Sequence, residues 1–386
     1  MAKEFTSQEW NAINAELKAH PKKYGFPQTN EESVLIGSFN IRKLGSVKNR
    51  NAATWNFLST ICKQFDLLAI QEVQDNMEGL KKLLSMLGNE YGMVVSDMTG
   101  TFPGSQGLGE RLAFIFKWSV VTRGEVVSDV TYDRSEVIDI LLNNLDKINM
   151  ANDDYNKKMD SYNEGKRKTK PNFEMPVFLS FIRQPFCVSF RINKGTGSES
   201  YLFMAINAHL IFGETEDRKR EFDALMNWII NRVKQEGKTY YPNFLLCGDL
   251  NLNFDDPASD FPEIEKYMKT FNGELGNEIH VNFPFLDPHP SLTVQYTSNV
   301  LQNQRYDQIG LFFKDTRLPT FDQNSTAGTN AEGPDYGVFN FAELFCQAIN
   351  NKSFDTLTKA EKESFVARFE HKVSDHMPIW LRLPLS

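Results

Sequence analysis

Cysteine is sparse in this sequence. The four thiols, Cys62, Cys187, Cys247 and Cys346, lie far apart among apolar residues and form no CxxC pair. That spacing argues against a disulfide-dense secreted scaffold and against a thiolate metal site. Buried free thiols in a reducing cytoplasm are the expectation. Long apolar runs are also missing. No stretch reaches the roughly 18 residues that would cross a bilayer, and the opening MAKEFTSQEWNAINAELKAH holds no signal-peptide core. A soluble, cytoplasmic, membrane-free chain is therefore expected. Positive charge is in deficit: 42 Lys and Arg against 50 Asp and Glu leave a formal net charge of -8. This argues against holding nucleic acid by bulk electrostatics, since such binding rests on cations neutralising phosphates. A local basic face stays open.

Apolar material is plentiful. With 41% hydrophobic and 24% charged residues in 386, the chain can bury a substantial core, which excludes wholesale disorder. Residues 6–20 begin with the capping pair Thr6 and Glu9 and place Trp10, Ile13 and Leu17 at helical spacing, so an N-terminal helix is predicted. Strands are predicted in SVLIGSFNIRKLG, DLLAIQEV, RLAFIFKWSVV, VFLSFIRQPFCVSFRI, YLFMAINAHL, NFLLCGDL, RYDQIGLFF and MPIWLRL, with helices such as NAATWNFLSTICKQF and EDRKREFDALMNWIINRVKQ between several of them. Nearly continuous apolar strands interleaved with amphipathic helices indicate sheets covered by helices. Two segments read as insertions into a single domain spanning 1–386. One is the charged helical stretch 131–175; the other, 314–371, holds DQNSTAGTNAEGPDYG and a helix capped by Thr358 with Glu361.

The strands end in a few recurring residue types. Asn40 follows IGSF, Glu72 follows LLAIQ, Asn207 and His209 close FMAINAH, and Asp249 and Asn251 follow LLCG. Asp307 sits in RYDQI, and Asp375 with His376 precedes MPIW. Singly, each is an ordinary turn or cap residue. Together they supply carboxylates and amides suited to a hard cation such as Mg²⁺, with two histidines for proton transfer. Of the six histidines, His20, His280, His289 and His371 have no such neighbours in the sequence. Gly248 is read as letting the chain turn at the rim without a side chain.

In this order, FNIRKLG, IQEV, GERLAFIF, NAHL, GDLN, YDQI and SDHMP resemble the endonuclease/exonuclease/phosphatase superfamily, most closely its deoxyribonuclease I-like branch. The resemblance implies a four-layered α/β (αββα) sandwich, two packed β-sheets flanked by helices. It implies a metal-dependent phosphodiesterase, most like a DNA endonuclease, with Mg²⁺ (or Mn²⁺ or Ca²⁺) held by Glu72, Asn40 and Asp375. His209 and His376 become the catalytic pair, backed by Glu110 and Asp307 respectively, while Asp249 and Asn251 face the scissile phosphate. Base and acid stay unassigned, with Asp249 or His376 offered for the water and His209 for the leaving oxygen. Arg42, Arg183 and Asn207 are expected to bind substrate, which is expected to be DNA, and a monomer is expected.

Departures from the branch bear on substrate. Gln74 stands where those enzymes carry a minor-groove arginine, Leu108 replaces a tyrosine that contacts the sugar, and the secreted disulfide pattern is missing. The cluster KRKTK, Lys166 to Lys170, is either a solvated loop or an added phosphate contact. Phosphatases or phosphodiesterases for inositol lipids, sphingomyelin or small nucleotides share the catalytic set, although the aromatic–Arg pair of inositol phosphatases does not follow GDLN here. An abasic-site endonuclease shares the core too. A catalytically dead scaffold typically loses a metal ligand or a histidine, and none is lost here.

Overall fold

The architecture follows from how the apolar strands pair. In this computed structural model, residues 3–29, 33–99, 109–193, 199–213, 215–235, 237–252, 279–286, 297–326 and 336–385 are described, with further positions at 31, 260, 262 and 264–267. Strands β1 (Ser33–Leu44) and β2 (Leu67–Gln74) run parallel at the centre of one sheet, with Ile36 opposite Leu67 and Asn40 opposite Gln71. β3 (Tyr91–Val95), β4 (Glu110–Lys117), β11 (Tyr336–Val338) and β12 (Ile379–Pro384) complete it in the order β11-β12-β1-β2-β4-β3. The second six-stranded sheet joins β5 (Val121–Asp129), β6 (Phe186–Ile192), β7 (Tyr201–His209), β8 (Asn243–Asp249), β9 (His280–Asn282) and β10 (Asp307–Phe313), in the order β5-β6-β7-β8-β10-β9.

The inner faces of the two sheets share one core. Phe39, Ile70 and Phe114 of the first meet Phe190, Phe203, Leu245 and Leu311 of the second. Each of these large side chains is removed from water almost completely, so the contact between sheets contributes strongly to the stabilisation. Outside lie helices. α1 (Ser7–Ala19), whose Thr6–Glu9 capping box forms as expected, and α2 (Ala52–Cys62) join the same apolar cluster through Trp10, Ile13 and Phe57. α3 (Glu78–Leu87) adds Leu80 and Leu83. Helix α6 (Thr215–Lys234) covers the outer face of the second sheet, setting Phe222, Leu225 and Ile229 against Ile206, Leu246 and Phe312. The layers are therefore helix, sheet, sheet, helix, the α/β sandwich that the resemblance implied.

Three local readings change. RLAFIFKWSVV is not one strand: it divides into β4 and β5, which belong to different sheets and are joined by a turn at residues 118–120. In VFLSFIRQPFCVSFRI only Phe186 onward is strand, because Pro185 has no N–H to give and the Ile182 N–H is taken by the Glu221 side chain. The third concerns the insertions. α4 (Arg134–Asn143) and α5 (Leu145–Asn163) bury no residue and stand outside the sandwich. By contrast, 314–371 is partly built into it. β11 pairs with β12, and α7 (Phe341–Asn350) buries Phe341 and Phe345 in the main core; the capped α8 (Lys359–Val366) follows. Leu108, His289 and the tract 327–335 lie outside the described residues.

Candidate active site

Register brings the polar strand ends together. His209 pairs with Asp249 across the parallel β7–β8 ladder, and Asp249 pairs with Asp307 across the antiparallel β8–β10 ladder, so the three form one row. Close approach at this row needs Gly248. Its φ is 150°, and a Cβ there would meet the Ala208 carbonyl oxygen at 2.0 Å. The glycine thus permits tight packing inside the ladder, rather than the turn its position suggested. From the first sheet, Asn40 reaches across to donate Nδ2–H to Asp249 Oδ2 at 3.0 Å.

Both histidines face Asp249. His209 Nε2 and His376 Nε2 each lie 3.6 Å from Asp249 Oδ2. Behind each imidazole stands a carboxylate: Asp307 Oδ2 is 2.7 Å from His376 Nδ1, and Glu110 Oε2 is 3.2 Å from His209 Nδ1. The Ser298 hydroxyl donates to Asp307 Oδ2 at 2.6 Å, fixing that carboxylate. Asn251, at φ 53°, donates its backbone N–H to Asp249 Oδ1 at 3.0 Å and its side-chain amide to the Leu210 carbonyl at 2.8 Å.

The two imidazoles differ electrically. Burial pushes the His209 pKa down to about 4, with the neighbouring Arg183 cation adding to the effect, so the ring is neutral at pH 7. Burial also opposes charge on His376, but Asp307 and Asp249 outweigh it and raise its pKa well above the ordinary value. The balance favours the charged form of His376. Burial raises the Glu110 pKa, partly offset by Arg183, whose NH1 lies 3.6 Å away.

Glu72 owes its position to irregular backbone. The β2–β4 register slips between Ile70 and Val73, and Glu72 takes φ 59° within that bulge. A bulge re-aims a side chain at a sheet edge. The carboxylate is held there by the Lys43 N–H, which donates to Oε2 at 2.8 Å from a backbone with φ 46°. Asp375 receives Arg42 at 2.7 Å on Oδ2. Its Oδ1 and Asn40 Oδ1 are buried oxygens with no hydrogen-bond donor among the described residues. Buried acceptor oxygens orphaned in this way, with the Glu72 and Asp375 carboxylates lining one cleft, are of the type a hard divalent cation takes. Separately, Asp249, Asp307 and His376 bring ligand atoms within 4.8 Å of one another.

All the expected catalytic residues line or floor one cleft of about 500 Å³, together with Glu72, Asp375, Arg42 and Arg183, except Asp307, which lies behind His376. Asn207 is the exception among the expected substrate contacts. It is fully buried, donates to the Ile70 and Ala113 carbonyls at 3.0 and 2.8 Å, and accepts from Gln71 at 2.6 Å. It ties one sheet to the other and has no polar atom to offer a substrate. Arg183 is also largely committed: Nε and NH2 donate to the His209 and Leu210 carbonyls, both at 2.8 Å. Its first role is to hold the His209 strand end.

Several supporting residues were not singled out from sequence. Ser374, inside the quoted SDH motif, donates to the Asn40 carbonyl at 2.7 Å and accepts the Arg42 and His376 N–H groups, tying β1 to the loop before β12. Glu221 of α6 accepts the Ile182 and Ile211 N–H groups at 2.5 and 2.7 Å and so sets the cleft wall; burial pushes its pKa up to about 7. A carboxylate facing inward on an amphipathic helix was its one visible signal.

The chain is 30% identical to chicken (Gallus gallus) deoxyribonuclease-1 over 102 residues and 34% identical to the pig (Sus scrofa) enzyme over 106, in each case 26% of this chain and 35% of that protein. It thus matches about a third of the length of these relatives. The catalytic domain of human nocturnin with bound sulfate is similar at 13% identity and a TM-score of 0.46, covering 92% of this chain and 95% of that one. Residues 37–333, which carry every element of the cleft except the 375–376 loop and its neighbour Glu370, match a single family, and the chain belongs to it: the Endonuclease/Exonuclease/phosphatase family.

Proposed function

We propose that this protein is a metal-dependent phosphodiesterase that cleaves DNA internally, acting as a monomer in the cytoplasm. The observation that carries the reading is the single carboxylate of Asp249 set 3.6 Å from the Nε2 of two histidines, each with a second carboxylate behind its Nδ1. Phosphodiester hydrolysis needs one group to take a proton from water and another to give one to the leaving oxygen. Neutral His209 with Asp249 serves the first need. Charged His376 serves the second.

In this mechanism Asp249 orients the attacking water and His209 Nε2 accepts its proton as the oxygen bonds to phosphorus. The bond from phosphorus to the leaving oxygen breaks, and His376 Nε2 protonates that oxygen. Asp307 holds the His376 ring and favours its charged form, as Glu110 orients His209. Asn251 and Asn40 keep Asp249 in place. Arg42 at the cleft wall is the cation available to a phosphate neighbouring the scissile one. Glu72, Asn40 and Asp375 would hold Mg²⁺, with Mn²⁺ or Ca²⁺ as substitutes, and the bound ion offsets the charge of the reacting phosphate. Four buried free cysteines suit the reducing cytoplasm.

The test is direct. Supercoiled plasmid, an abasic duplex and inositol phosphates are incubated with the protein in Mg²⁺, Mn²⁺ or EDTA. Nicking of intact plasmid that EDTA abolishes, with no phosphate released from the monoesters, is the expected outcome. Phosphate release without nicking overturns it, and cleavage confined to the abasic duplex narrows the enzyme to that lesion.

A further inference from the structure

A second cavity, about 540 Å³, adjoins the catalytic cleft. Ile182, Ile211 and Phe212 belong to the walls of both, so the two form one continuous trough. Phe212 is 72% exposed and packs against no other ring among the described residues. Phe173 also lines the second cavity, 40% exposed, its edge set against Tyr155 of α5 at 5.6 Å. Immediately before it runs the exposed tract Lys166–Lys170, in which Lys168 and Lys170 have no ion pair among the described residues.

An exposed aromatic ring beside groups that cleave a phosphodiester has an obvious complement in a nucleobase. A duplex keeps the faces of its bases stacked inside and offers only their edges. A single strand offers the faces, and stacking on an aromatic side chain is tolerant of sequence. The chain as a whole is acidic, so the backbone of such a strand needs local cations. Lys170 stands three residues from Phe173, within about 10 Å of extended chain. We propose, resting on the nuclease reading above, that this trough binds single-stranded DNA. Phe212 stacks on an unpaired base beside the scissile phosphate, and Lys166–Lys170 hold backbone phosphates beyond the second cavity.

The experiment uses a fluorescein-labelled 12-nucleotide single strand and the corresponding duplex. Binding is followed by anisotropy in EDTA and cleavage in Mg²⁺. Phe212→Ala should weaken single-strand binding about tenfold and raise KM rather than lower kcat, while duplex binding changes less than about twofold. Phe212→Trp should restore binding, and its indole emission should be quenched as the strand binds. Replacing Lys168 and Lys170 together with alanine should flatten the salt dependence of binding by about one to two phosphates. Unchanged single-strand affinity in Phe212→Ala, or equal loss for strand and duplex, overturns the stacking assignment while wild-type cleavage keeps the nuclease reading intact. An unchanged salt slope removes the lysine contact. If the wild-type protein cleaves neither strand nor duplex, the nuclease reading falls and this inference falls with it.

Discussion

Asn40 and Asp249 belong to different sheets and are 209 residues apart, yet they are joined by a 3.0 Å hydrogen bond at the floor of the cleft. That bond aims Asp249 Oδ2 at the two imidazoles. Asp249→Asn should remove the water-orienting carboxylate and lower kcat by about three orders of magnitude, within the range usual for a lost acid or base. Circular dichroism should show the fold retained. A variant within tenfold of wild type would remove Asp249 from the mechanism.

The opposite pKa shifts of the two histidines predict a pH profile. His376 carries its proton until the pH rises through its raised pKa, and His209 stays neutral until the pH falls through about 4. Activity should hold between those limits and decline on the alkaline side as His376 loses its charge. Stability follows the same signs. The contribution of charged His376 is fully present below the ordinary value of 6.5 and is lost as pH rises through the folded pKa. That of neutral His209 is present above 6.5 and is lost as pH falls towards about 4. Histidine NMR titration of metal-free protein reads both; a His209 ring that titrates above His376 contradicts the assignment.

Glu72 is held in a bulge, and Asn40 and Asp375 each carry an orphaned buried oxygen. Wild-type protein should rise in melting temperature on addition of Mn²⁺ or Mg²⁺, and Glu72→Gln should lose most of that rise together with turnover. EDTA should abolish wild-type activity, and added Mg²⁺ should restore it. An equal thermal response in both proteins would place the cation elsewhere, with the ligand atoms of Asp249, Asp307 and His376 the next set to examine.

Asn207 predicts a loss of stability. Replacing it with leucine strands the Ile70 and Ala113 carbonyls between the sheets. Two buried acceptors without donors should lower unfolding stability by about 2–5 kcal/mol. Urea denaturation measures this. KM for DNA should stay near that of wild type in the folded fraction, which separates an inter-sheet tie from a substrate contact.

Asn207 also shows where the sequence ceased to be legible. It and His209 point to the same face of β7, because alternate residues of a strand do so. What differs is depth along the strand: His209 is at the rim and Asn207 a step inside, and no local pattern encodes that step. The row His209, Asp249 and Asp307 could be read because each closes or opens an apolar run. Glu72 could be assigned by its motif, but the bulge that aims it depends on pairing with β4. The division of RLAFIFKWSVV between two sheets was hidden because no Gly or Pro marks the crossing. Likewise, Phe341 and Phe345 looked like part of an addition, since what places them in the core is contact with an N-terminal helix some 330 residues earlier.

The pairing of β1 with β12 bears on when the protein can act. Ser33–Ser38 lie beside Ile379–Pro384, and the loop just before β12 supplies Asp375 and His376. On a ribosome the early strand must wait for residues near 384 to emerge before it gains this neighbour. Until then the cleft has one imidazole, an incomplete set of cation ligands and an open sheet edge. Pairing of β1 with β12 is thus the step that unites the two halves of the cleft, so loosening that ladder should cost the proposed activity before it costs the rest of the fold.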